Sequence, residues 1–106
     1  MIARLDSGGE TVAGTVATVG LGGSPEGVGI ACSSDSCRVA AATTTAYGGA
    51  VEAFEWKDSG QIRPSRLVNL SARPRDGVAP VVIGDDVFYG DGGNGDAHLR
   101  KLVVEW

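Results

Sequence analysis

The apolar positions of this chain fall in short runs, and none keeps the i, i+3, i+4, i+7 spacing of an amphipathic helix for three turns. The runs read instead as eight short strands. Four lie in the first half, "ETVAGTVATVG" (10–20), "GVGIACS" (27–33), "SCRVAAATT" (36–44) and "AVEAFEW" (50–56). Four follow in the second, "QIRPSRLVNLS" (61–71), "GVAPVVI" (77–83), "DVFYGD" (86–91) and "HLRKLVVEW" (98–106). Turn-forming clusters separate them, at "DSGG", "GGSPEG", "SSDS", "KDSG", "RPRDG" and "IGDD". The pattern predicts an all-β chain.

The halves resemble each other. Sliding the chain by 50 lays Glu26–Thr43 on Asp76–Gly93 and Ala50–Trp56 on Arg100–Trp106, so that Gly27, Val28, Asp35, Glu55 and Trp56 recur as Gly77, Val78, Asp85, Glu105 and Trp106. Upstream, "LDSGGE" (5–10) resembles "KDSGQI" (57–62) at a spacing of 52, as a two-residue insertion would produce. A repeat of this length with four strands in each unit is the pattern of β-propeller blades. One all-β unit of two repeats, approximately 5–56 and 57–106, is therefore expected, as two four-stranded antiparallel blades. A β-sandwich of about eight strands is the alternative.

"ARLDSGG" (3–9), "EWKDSG" (55–60), "DGVAPVVIGDDVFYGD" (76–91) and the closing "VVEW" resemble propeller repeats of bacterial secreted and envelope proteins. The resemblance covers nearly the whole chain and implies architecture alone. The sequence lacks the Gly-His and Trp-Asp pairs of the better-known repeats and the aromatic spacing of tachylectin-like blades, so no active residues carry over.

The repeat bears on the two cysteines. Cys32 and Cys37 align with Val82 and Val87, and both pairs flank a turn, "SSDS" in one case and "IGDD" in the other. Facing positions of an antiparallel hairpin lie close enough for a disulfide. Two reduced core thiols are the alternative. A zinc site needs about four ligands, whereas the chain has one histidine and no second Cys pair. Redox Cys-x-x-Cys chemistry needs two intervening residues, and here there are four. An oxidised pair favours a secreted or cell-envelope protein. The amino terminus carries no signal-peptide pattern, so an exported form is expected to have a leader that this sequence lacks.

Composition narrows the partners. The 106 residues are 42% hydrophobic and 21% charged, with 9 Lys+Arg against 13 Asp+Glu for a net charge of −4. Nucleic acid and membrane are unfavoured partners on that balance. No catalytic or cofactor motif stands out. In "GDGGNGD" (90–96), Asp91, Asn94 and Asp96 miss the ligand register of a calcium loop. His98 has no nucleophile motif beside it. The glycine clusters fit neither a dinucleotide loop nor a P-loop, and no cofactor is expected. Asp85–Asp86 and the pair Glu55 and Glu105 read as turn and repeat positions rather than an acid and its base. "NLS" at Asn69 is a sequon that short triplets produce by chance. Trp56 and Trp106 are the weak ligand-binding candidates, as sugar-stacking rings, although covering the space between blades is the role the pattern favours.

Two blades cannot close a ring, because each hides its faces against neighbours. The expectation is a non-catalytic binding or scaffold module that assembles with itself, three or four copies completing six or eight blades. A carbohydrate-binding lectin, or a fragment of a larger propeller enzyme or receptor joined to its missing blades, are the alternatives. Carbohydrate or protein ligands suit either.

Overall fold

A computed structural model describes residues 2–13, 18–45, 48–57, 59–63, 66–70, 79–93 and 96–106, of which 66–70, 91–93, 96 and 97 are described as backbone. The protein is all-β, with no helix among these residues. Strands β1 (Ser24–Cys32), β2 (Ser36–Thr45), β3 (Gly48–Lys57) and β4 (Arg66–Leu70) form one sheet in that order. Strands β5 (Val81–Ile83), β6 (Asp86–Gly93) and β7 (Asp96–Val103) form a second. Every pairing is antiparallel.

Among the described residues, seven strands stand where eight were expected. The run at 10–20 forms no strand among its described residues, contributing only a single bridge from Thr11 to Leu5. The run at 61–71 does form a strand, β4, but it pairs with β3 and completes the first sheet. The sheets are thus divided after Leu70, out of phase with the sequence repeat. Pro80 explains why β5 is short: it has no N–H to donate, and the ladder begins at the next residue.

Backbone geometry refines the repeat. Asp6 N donates to Glu10 O, Gly9 N to Asp6 O and Val12 N to Arg4 O, and the same three bonds recur from Lys57, Gly60 and Arg63. Gly9 and Gly60 share the left-handed region, at φ 83° and 85°, which a side chain would disfavour. The recurrence is at 51, so it pairs Asp6 with Lys57 and leaves the shared Asp-Ser-Gly one residue out of step.

The hairpins correspond at 50: Cys32 faces Cys37 as Val82 faces Val87. The third strands do not. Trp56 lies opposite Cys37, whereas Leu102 lies opposite Val87, because the β6–β7 hairpin is shorter. The shared Glu-Trp is therefore displaced, and Trp106 falls beyond the end of β7.

Side chains alternate across each sheet, and register partners share a face. On the four-stranded sheet, Ala31, Arg38, Ala40, Val51, Ala53 and Glu55 share the face turned to the second sheet. The second sheet meets it with Val82, Val87, Tyr89 and Leu102, joined by Val104 and Trp106. Small residues on one side receive large ones from the other. The approach is tight at Gly29, where a Cβ would fall on the carbonyl oxygen of Pro80.

Candidate functional site

Two places in the described structure bring chemically distinctive side chains together. The first is the seam at one end of the two sheets. Arg38 and Glu55 are register partners on β2 and β3, so alternation alone puts both on the inner face. The two-residue turn Gly84–Asp85, with Gly84 at φ 59°, brings the β5–β6 hairpin over them. Arg38 Nη1 donates to Gly84 O at 2.6 Å and to Asp85 Oδ1 at 2.7 Å. Its Nε lies 3.7 Å from Glu55 Oε2, and its guanidinium covers the Trp106 ring at 5.2 Å from the centroid.

The same turn anchors the end of the chain. Asp85 O accepts from Val104 N at 3.1 Å and from Trp106 Nε1 at 3.3 Å, while Trp106 O accepts from Arg63 Nη1 at 2.9 Å. Lys57 Nζ sits 3.0 Å from Glu55 Oε1. That bond holds the Glu55 carboxyl below its ordinary range; burial opposes the shift, and the charges of Lys57, Arg63 and Arg38 add to it. A hollow of about 310 Å³ opens here, bounded by Ala31, Cys32, Ser33, Ser36, Arg38 and Glu55. Each charged group in the seam faces an opposite charge or a carbonyl oxygen, and the bonds of Arg38 to Gly84 and Asp85 fasten one sheet to the other.

The second place is the opposite face of the four-stranded sheet. Cys32, Cys37, Val39, Ala41, Glu52, Phe54 and Trp56 lie on it by register. The amino-terminal segment folds across this face and leaves an apolar groove of about 350 Å³, lined by Val19, Leu21, Val28, Ile30, Val39 and Phe54. Glu52 is buried there; its Oε1 accepts from Gly22 N at 2.8 Å, and its Oε2 has no partner.

The disulfide expected between Cys32 and Cys37 is present, with S–S at 2.04 Å. Trp56 is only 3% exposed, lies opposite Cys37 and leaves Nε1 unpartnered, so it offers no ring face to solvent. Trp106 is far less enclosed and stands in the seam between the sheets. The two tryptophans do not make equivalent sites. His98 is exposed on β7, and Glu105 is exposed beyond that strand. Of the loop 90–96, Asn94 and Gly95 lie outside the described residues, as do the side chains of Asp91 and Asp96. Among the described residues no group of three or more His, Cys, Asp or Glu could hold a metal ion, and no helix is long and apolar enough to cross a membrane.

Arg38 was not among the candidates read from the sequence. Its signal was present: it is the one charge in a run of small and apolar residues, and Phe88 occupies the matching position of the second half. Comparisons with protein families, with curated proteins and with solved structures find no match for this chain.

Proposed function

We propose that this protein is a non-catalytic binding or scaffold module of propeller-type sheets that works by stacking sheet on sheet and assembles with copies of itself. The observation that carries this reading is the internal stacking: the charged residues of the seam fasten two sheets, while large apolar residues remain exposed on both outer faces. Strand order supports blades over a sandwich of Greek-key type. Each sheet is an unbroken meander, 1-2-3-4 and 5-6-7, with no strand crossing to the other sheet.

The disulfide suits an oxidising compartment, in keeping with a secreted or envelope protein. A carbohydrate-binding version would rest on Trp106 alone, since Trp56 is enclosed. Light scattering during size exclusion tests the assembly reading: a discrete multiple of the 10.8 kDa chain is expected, and a compact monomer at every concentration would overturn it in favour of a self-contained sandwich.

A further inference from the structure

Large apolar residues cluster on one open sheet face. On the outer face of β5–β6–β7, Val81, Ile83, Leu99 and Val103 are 53–78% exposed, and half-buried Phe88 lies among them on the central strand. The groove face of the four-stranded sheet differs. Its β2 and β3 residues are buried, residues of the amino-terminal segment lie over it, and its exposed large apolar residues are Val28 and Ile30 on edge strand β1. The two inner faces cover each other. Scattered apolar residues need no explanation, but an open cluster does. The outer face of β5–β6–β7 is thus the sheet face that the described residues leave uncovered.

Two opposite charges share this face. Asp86 lies between Ile83 and Val103 in register, and Lys101 lies beside Phe88. Neither charge is in an ion pair among the described residues. The face also has a gap. Leu99, the most exposed of the four large side chains, is the register partner of Gly90, which has no side chain to set beside it. The surface therefore carries an acid and a base, and a projection and a recess, on neighbouring strands.

Resting on the assembly reading above, we propose that two copies pack through this one face, related by a two-fold axis that runs along the strands between β6 and β7. A copy with a single open face meets another only through that same face, so the contact is isologous and closes at two copies. The placement of the axis follows from the residues. It keeps each register row at its own height and exchanges the strands, so β7 of one copy lies over β6 of the other. The sheets stay aligned, as sheets packed face to face prefer. Leu99 then faces the gap at the second copy's Gly90, and Lys101 faces the second copy's Phe88, two residues along β6 from Asp86. An ammonium over an aromatic ring and near a carboxylate is a favourable arrangement. An axis along β6 itself would set Asp86 against the same carboxylate of the second copy, a like-charge contact.

Charge reversal tests it. Asp86→Lys gives a face with two positive charges, and Lys101→Asp gives one with two negative charges. By light scattering during size exclusion, wild type is expected at twice the 10.8 kDa chain mass and each variant alone at the chain mass. Their equimolar mixture should return to twice that mass, because each positive charge again meets a negative one across the axis. Leu99→Asp, at the most exposed of the apolar positions, should be monomeric. Should Asp86→Lys lose its far-ultraviolet β signature, Leu99→Asp decides in its place. A wild type that is monomeric at every concentration would overturn the assembly reading and this proposal together. An oligomer of more than two copies, a Leu99→Asp protein that keeps the wild-type mass, charge variants that dimerise alone, or a mixture of them that stays monomeric would overturn only the two-fold contact.

Discussion

Replacing Gly29 by Ala adds one methyl group where β1 lies tight against the segment that leads into β5. The new Cβ would fall on the Pro80 carbonyl oxygen, which is backbone and cannot rotate aside as a side chain could. Either β1 or the start of β5 must move, and Ala31, two residues along β1 on the same face, would be drawn from its contacts with the core. Overpacking of this kind costs about 1–3 kcal/mol, and a clash with backbone belongs at the upper end. Ala restricts the unfolded chain more than Gly does, which returns about 0.4–1 kcal/mol. The net expectation is a loss of about 2 kcal/mol, or a fall in Tm of roughly 8–16 °C for a domain of this size. Gly20→Ala is the control, since a Cβ there meets nothing within 4 Å. Thermal unfolding by circular dichroism of both variants measures the difference. A Gly29→Ala protein that melts with the Gly20→Ala protein would refute the account of how the sheets meet.

Arg38→Ala removes the link from β2 to the Gly84–Asp85 turn. Hydrogen bonds to charged groups contribute about 1.5–3 kcal/mol each, but Asp85 is 71% exposed and Arg38 31%, so a loss of about 1–2 kcal/mol in urea unfolding is expected. Glu55, whose folded pKa lies below its ordinary 4.5, adds stability that is present above the unfolded pKa and is lost as pH falls through the folded one. Denaturant midpoints should drop on acidification below about pH 4.5, less steeply in Glu55→Gln; equal acid slopes would argue against the Lys57 contact as the cause. Reducing Cys32–Cys37 reopens a short loop worth about 2 kcal/mol in the chain-entropy account. The reduced protein should keep its β spectrum and melt roughly 8–16 °C lower, and loss of the fold on reduction would contradict the view that packed sheets carry it.

Much of the fold was legible because alternation and turn chemistry are local. β1, β2 and β3 fall within a few residues of the runs at 27–33, 36–44 and 50–56, and the Cys pair follows from hairpin register. Sheet membership was less legible. Whether the run at 61–71 joins the sheet before it or after it depends on which edge it meets, and β4 joins β3. The shared Glu-Trp misled for a related reason: a hairpin can shorten on both strands and keep its faces while every identity beyond it is displaced. The seam depends on contacts between residues about 45 positions apart, such as Arg38 with Asp85, which no local pattern encodes.

The alanine-lined face of the four-stranded sheet has a consequence for synthesis. Both sheets are meanders whose neighbouring strands are consecutive in the chain, so each can close through short loops without waiting for distant segments. The first sheet can close once Leu70 has emerged from the ribosome, before β5 has emerged. During that interval its inner face waits uncovered, and at Ala31, Ala40 and Ala53 it presents methyl groups rather than the large side chains that drive misassociation of nascent chains. The bulky half of the core, Val82, Val87, Tyr89 and Leu102, emerges last, when the surface that buries it already exists.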